Sequence, residues 1–162
     1  MENTNIIRTL VVDDSRIMRN IVMESLRKTG LGEFEFTEAG SGSEAMDVFD
    51  ADTTDMIFVD WNMPGMNGIE FARFIRSSKW ANHIPIVMVT SETGDAKQKD
   101  AYDKARISCY VTKPFTVDDL KAKIVTLVAE VKKKKAGSGV AAAPAAPAAA
   151  KPAGGFFSKL LS

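Results

Sequence analysis

MIFVDWNMPGMNG, residues 56–68, decides the fold. Four apolar residues, Met56–Val59, run without alternation into Asp60, and a loop of turn-forming residues follows. A short continuous apolar run reads as a strand buried on both faces, the situation of a strand inside a parallel sheet covered by helices. Gly65 and Gly68 admit backbone angles that other residues resist, so Met63–Gly68 reads as a tight loop shaping whatever stands at the strand's end. Beyond it Ile69, Phe71, Ala72 and Ile75 fall at helical spacing.

The same strand-then-helix unit repeats on both sides. Apolar, β-branched runs occur at Ile6–Val12, Phe34–Thr37, Ile84–Val89 and Ile107–Val111. Helical spacing follows in Ile17, Ile21 and Leu26 behind an N-capping Ser15, and in Ala45, Met46 and Phe49 after Ser43. It returns in the more polar Asp95–Ala105, and in Leu120, Ile124, Leu127, Val128 and Val131. Gly30 stands where a C-terminal glycine cap is expected, and Thr116 with Asp119 resembles a capping box opening the last helix. Five βα units predict an α/β fold: a five-stranded, doubly wound parallel sheet with right-handed crossovers and five helices. Such a sheet binds its ligands beyond the carboxyl ends of its strands, so the polar residues ending each strand carry the chemistry.

Composition narrows the class. A chain of 162 residues with 45% hydrophobic content buries one substantial core and calls for no second folded domain. Its formal charge is zero, but residues 1–131 hold all 21 acids against 15 bases, a net −6, while residues 132–162 hold six lysines and no acid. An acidic body therefore carries a basic tail. The lone Cys109, inside an apolar run, reads as a small buried strand residue in a reducing compartment. The start MENTNIIRTL lacks a secretory pattern, and no window reaches about eighteen uninterrupted apolar residues. The expectation is a soluble, cytoplasmic protein with no stable membrane insertion. Met18, Met23, Met46, Met56 and Met88 are expected in the core, and His83 in a surface loop.

At the strand ends stand Asp13 and Asp14, Asp60, Thr90, and a fifth strand running through Tyr110 to Lys113. Three carboxylates, a hydroxyl and an ammonium then converge on one edge. Like charges 4 Å apart repel by roughly 4 kcal/mol at an effective dielectric of about 20, so three acids here call for a cation. Mg2+ suits them, because it takes a few carboxylate oxygens, keeps several waters and accepts a phosphate oxygen. An aspartate carboxylate can also accept a phosphoryl group as an acyl phosphate, a transfer that needs in-line positioning and neutralised oxygens.

The segments VVDDSRIMRN, FVDWNMPGMNG, PIVMVTSE and CYVTKPFT, in that order, resemble the signature segments of bacterial two-component receiver domains, specifically the single-domain CheY type of chemotaxis response regulator. The resemblance spans about residues 6–131. It implies strand order 2-1-3-4-5, as in the CheY example of the doubly wound fold. It implies Asp60 as the phosphoacceptor, with Mg2+ held by Asp13, Asp14, Asp60 and the backbone carbonyl of Asn62. Lys113 then pairs with the acyl-phosphate oxygens, Thr90 moves toward the phosphoryl group, and the Tyr110 ring turns inward with it. Asn62 and Glu92 match positions that tune dephosphorylation. A cis Lys113–Pro114 bond is implied too. The family's usual glycine after the fourth helix is Arg106 here, so that helix end is expected to be rebuilt.

The function implied is a phosphorylation-dependent switch that takes its phosphoryl group from a chemotaxis-type histidine kinase and changes partner binding, in flagellar motor control. Its partners are that kinase, an output protein such as the motor switch, and a phosphatase. The competing reading is a stand-alone receiver serving as phosphate shuttle or sink in a phosphorelay. A phosphohydrolase with Asp60 as nucleophile is weaker, because Asn62 stands where an acid catalyst would. The chain is thus a signalling receiver with no turnover of external substrate. Residues 1–131 form the receiver; 132–155, Lys-rich and then Ala/Pro/Gly-rich, read as a flexible linker. Residues 156–162 read as an apolar docking peptide for an unidentified partner, with Phe156, Phe157, Leu160 and Leu161 on one side of a helical turn or two, the alternatives being transient membrane contact assisted by the lysines, docking back on the receiver, or no role. Neither linker nor peptide holds a recognition-helix pattern, which speaks against nucleic-acid binding.

Overall fold

Strand-forming runs and amphipathic segments alternate without exception along the computed structural model, which describes residues 5–141. In chain order the elements are β1 (Ile6–Val12), α1 (Arg16–Lys28), β2 (Glu33–Ala39), α2 (Gly42–Val48), β3 (Met56–Val59), α3 (Gly68–Ser77), β4 (Ile86–Thr90), α4 (Asp95–Ala105), β5 (Cys109–Thr112) and α5 (Val117–Ala141). All strand pairs are parallel, in the order β2-β1-β3-β4-β5.

The apolar run that opens the sequence behaves as its composition dictates. All four residues of β3 are buried, but successive side chains serve opposite faces. Ile57 and Val59 pack with Phe49, Phe71 and Ile75 under α2, α3 and α4, while Met56 and Phe58 pack with Leu26, Leu120 and Ile124 under α1 and α5. Two cores, one on each face, require a strand that is apolar throughout.

Local signals set the helix ends. Ser15 Oγ accepts from the Met18 amide, and Asn67 with Glu70 forms a reciprocal capping box at the start of α3. The Thr116–Asp119 capping box is present as well, with the two amides donating to the partner oxygens at 3.1 and 3.0 Å. Gly30 takes φ +69° just beyond α1.

Three expectations are corrected. The helical period of α1 is right but its buried face is Val22, Met23 and Leu26; Ile17 and Ile21 lie exposed, and Met18 is only half-buried. The end of α4 is not rebuilt: Arg106 itself takes the left-handed cap at φ 49°, ψ 46° and donates its amide to the Tyr102 carbonyl. A non-glycine residue there costs roughly 1–2 kcal/mol, and Arg106 is held by a reciprocal exchange with the half-buried neighbourhood of Arg76. Arg76 Nε donates to the Arg106 carbonyl at 2.9 Å and Arg106 Nη2 donates to the Arg76 carbonyl at 3.0 Å.

The third correction concerns residues 132–141, expected as the start of a flexible linker. They continue α5, because their lysines find acceptors on the sheet's far edge: Lys132 Nζ donates to the Leu31 carbonyl, and Lys135 pairs with Asp55 at 2.9 Å. Residues 142–155 of the expected linker and the expected docking peptide, 156–162, lie outside the described residues.

Candidate functional site

Register delivers the strand-end residues to one edge. Val12 stands beside Val59, Val59 beside Met88 and Val89 beside Val111, so the next residues along each strand emerge together. The ladder extends one step further through the site itself. Asp60 donates its amide to the Val12 carbonyl at 3.0 Å, Asp13 to Ala39 at 3.1 Å, and Lys113 to Thr90 at 2.8 Å. The side chains of Asp13, Asp60 and Lys113 thus leave from backbone still held by the sheet.

One carboxylate oxygen from each of Asp13, Asp14 and Asp60 lies within 4.8 Å of the others. Asp13 and Asp60 are buried, whereas Asp14 is exposed and leaves the cluster open to solvent. Lys113 reaches into it, with Nζ at 2.8 Å from Asp13 Oδ2 and 3.4 Å from Asp60 Oδ2. The remaining Asp13 oxygen accepts from the Ser15 amide at 2.9 Å, and Arg19 donates to the Asp13 carbonyl at 2.7 Å. The Lys113–Pro114 bond is cis, as the resemblance implies.

The donor set is all oxygen and carries three negative charges against one ammonium. That chemistry fits a hard divalent cation, which an open cluster of carboxylates favours over soft metals. Among the described residues this is the sole such group of potential ligands. A cavity of about 180 Å³ lies elsewhere, at the opposite end of the sheet, and is lined by Asp55, His83, Lys134 and Lys135 without any such convergence.

Backbone closes in behind Asp60. A Cβ on Gly68 would sit 2.1 Å from the Asp60 carbonyl oxygen, so only glycine lets α3 begin against the end of β3. Gly65 takes φ +76° in the intervening loop, and Asn62 donates its amide toward Asp60 Oδ1 at 3.4 Å.

Thr90 and Tyr110 both converge on Glu92. Thr90, fully buried, accepts from the Glu92 amide through Oγ1 at 3.3 Å. The Tyr110 ring is inside the protein, and its hydroxyl donates to the Glu92 carbonyl at 2.7 Å. Burial above all, with the nearby charges of Glu92 and Asp60, pushes the Tyr110 hydroxyl up to about 12. The Glu92 carboxylate accepts from Asn62 Nδ2 at 3.1 Å. Asp13, Asp14, Asp60, Asn62, Thr90, Glu92, Tyr110 and Lys113 therefore lie in one neighbourhood. Sequence reasoning missed Lys97, whose ammonium lies 3.6 Å from Glu92 and 4.8 Å from the centre of the Trp61 ring; as a lone lysine on a polar helix it gives no signal in the sequence. Cys109 is buried as expected, its thiol pushed up by burial, and no described helix is long and apolar enough to cross a membrane.

Known proteins resemble this chain in sequence and in fold. The family described as response regulator receiver domain matches residues 9–125. Chemotaxis protein CheY1 of Helicobacter pylori is 42% identical over 118 residues, covering 72% of this chain and 93% of the relative. Chemotaxis protein CheY of Pseudomonas aeruginosa is 39% identical over 119 residues, covering 72% and 92%. Among solved structures, chemotaxis protein CheY4 of Vibrio cholerae superposes with a TM-score of 0.61 at 32% identity, over 71% of this chain and 92% of that one.

Proposed function

This chain belongs to the response regulator receiver family, and we propose that it is the switch of a chemotaxis pathway, charged on Asp60 by a histidine kinase and read by a motor-type output protein. The observation that carries the reading is the cluster of Asp13, Asp14 and Asp60 bridged by Lys113 at a single sheet edge.

Asp60 attacks the phosphorus of a phosphohistidine; the new bond is to a carboxylate oxygen, and the phosphorus–nitrogen bond breaks with its electron pair returning to the imidazole. Lys113, already 3.4 Å from Asp60 Oδ2, is placed to stay with the oxygens of the transferred group. Asp13, Asp14, Asp60 and the Asn62 carbonyl are the residues to hold Mg2+, which when bound neutralises phosphoryl oxygens. Thr90 turns its hydroxyl from the Glu92 amide to a phosphoryl oxygen, which frees the loop carrying Tyr110's acceptor. The surface of α4, β5 and α5 then differs between the two states, a bias of a two-state element by a local charge. Asn62 and Glu92 tune the loss of the group. No external substrate is turned over, and the site of action is the cytoplasm. Residues 156–162 dock on a partner protein, which deletion of residues 152–162 tests through partner capture and signalling output.

Trp61, next to Asp60, reports on the site. Its fluorescence is expected to change on addition of Mg2+ and again with a small phosphodonor, and Asp60→Asn is expected to abolish the second change. A wild-type protein that responds to neither, or an Asp60→Asn variant that responds like wild type, refutes the assignment.

A further inference from the structure

Resting on the receiver reading above, we infer that Lys97 is a positioning residue that sets the lifetime of the phosphoryl group on Asp60. Lys97 lies in the first turn of α4. Its ammonium is 3.6 Å from Glu92 Oε1 and 4.8 Å from the Trp61 ring centre, while Glu92 Oε2 accepts from Asn62 Nδ2 at 3.1 Å. The loop after β3, the loop after β4 and the start of α4 are joined through these contacts. Helix formation gives no reason for the lysine, since the first turn of a helix favours acids over cations.

The join spans the mouth of the site. Asn62 and Glu92 stand two residues past Asp60 and Thr90, and their backbone amides point back to the side chains of those two residues. Loss of the phosphoryl group requires a water oxygen to reach phosphorus from the side opposite Asp60. The bond from phosphorus to the Asp60 oxygen then breaks, its electron pair returns to the carboxylate, and inorganic phosphate leaves with the water's oxygen and one of its protons, the other passing to solvent. A bridge closed across that approach slows it. Lys97 holds Glu92 in the bridge while its ammonium rests over the Trp61 ring, and it neutralises a carboxylate that otherwise repels the phosphoryl oxygens and any anionic donor.

The test charges full-length protein with acetyl phosphate, removes the donor and follows release of inorganic phosphate. Lys97→Met is expected to discharge roughly two- to fivefold faster, the range an exposed ion pair supports, and to charge more slowly. Lys97→Arg stays close to wild type. In a Glu92→Gln background Lys97→Met has little further effect, and raising the salt concentration speeds discharge of the wild type more than that of Lys97→Met. Wild type and Lys97→Met that charge on Asp60 and discharge at one rate overturn the inference alone, as does a Lys97→Met effect that persists unchanged without the Glu92 carboxylate. A wild type that does not charge at all overturns the receiver reading together with it.

Discussion

Replacing Lys113 with methionine keeps the apolar stem and removes the one ammonium that bridges Asp13 and Asp60. Its side chain is 13% exposed, against 5% for Asp13 and 10% for Asp60, so water compensates poorly for its loss. At separations of 2.8 and 3.4 Å, the two attractions are worth about 6 and about 5 kcal/mol at an effective dielectric of about 20. Deleting the lysine also removes its own desolvation cost of several kcal/mol, and breaking a buried pair nets a loss of about 3–5 kcal/mol. Exposed Asp14 opens the cluster to solvent, which places this site near the low end, at about 3 kcal/mol. For a domain of this size that corresponds to a Tm lower by about 10–15 °C. Urea unfolding at low salt without divalent cations, followed by tryptophan fluorescence, measures it. Adding Asp13→Asn to Lys113→Met is expected to restore at least about 1 kcal/mol relative to the sum of the single changes, because it removes the carboxylate left stranded. A Lys113→Met protein within about 0.5 kcal/mol of wild type, the range of an ordinary surface substitution, refutes the electrostatic account of the cluster.

Tyr110, pushed up to about 12 from an ordinary 10, keeps its proton in the folded state where the unfolded chain loses it. Its contribution is therefore complete below pH 10 and is lost as pH rises through the window from 10 to 12, about 2–3 kcal/mol in all. Ultraviolet titration of a Tyr102→Phe variant, in which Tyr110 is the single tyrosine left, gives the shift directly; an ordinary titration near 10 contradicts it. Gly68→Ala puts a methyl group against the Asp60 carbonyl and is expected to cost about 1–3 kcal/mol and to reduce phosphoryl uptake. Gly65→Ala, strained in φ with open space around it, is expected to cost about 1 kcal/mol and to leave uptake intact. Arg76→Met removes the donor to the carbonyls of Arg106, Asn82 and Ile84 and is expected to cost about 2–4 kcal/mol in urea unfolding, the Ile84 carbonyl being the buried one left unpaired.

The elements and the site differ in how far composition alone reveals them. Strand β3 is legible because burial on two faces leaves no polar position in Met56–Val59, and the site because parallel strands must release Asp13, Asp60, Thr90 and Lys113 at the same edge. The outer face of α1 is not legible in this way. Isoleucines at positions 17 and 21 satisfy helical period as well as Val22 and Leu26 do, and only the packing against α5 and β2 decides which stripe turns inward. Arg106 misleads for a different reason. Local preference disfavours a left-handed arginine, and what offsets it is a partner thirty residues away, Arg76, whose guanidinium is buried among carbonyls. The run Lys132–Lys135 reads as solvated charge, yet its acceptors, Leu31 and Asp55, belong to the loop ends of other units. In each case a deciding contact, α5 for α1, Arg76 for Arg106, Leu31 and Asp55 for the lysines, is distant in sequence, beyond any short window along the chain.

On the proposed reading, readout and discharge meet at Glu92. Its amide donates to Thr90, its carbonyl accepts from Tyr110, and its carboxylate joins Asn62 and Lys97. A hydroxyl that leaves the Glu92 amide for a phosphoryl oxygen therefore loosens one of three tethers on a single residue, and the other two must follow the backbone they hold. Because the Tyr110 ring is already inside, the change that reaches the surface of β5 begins with its carbonyl partner on the loop and does not need a ring arriving from solvent. The same displacement shifts the carboxylate that closes the mouth of the site. On the proposed reading lifetime and output are properties of one loop, and a substitution chosen to lengthen the phosphoryl state through Glu92 is expected to alter how strongly that state is read.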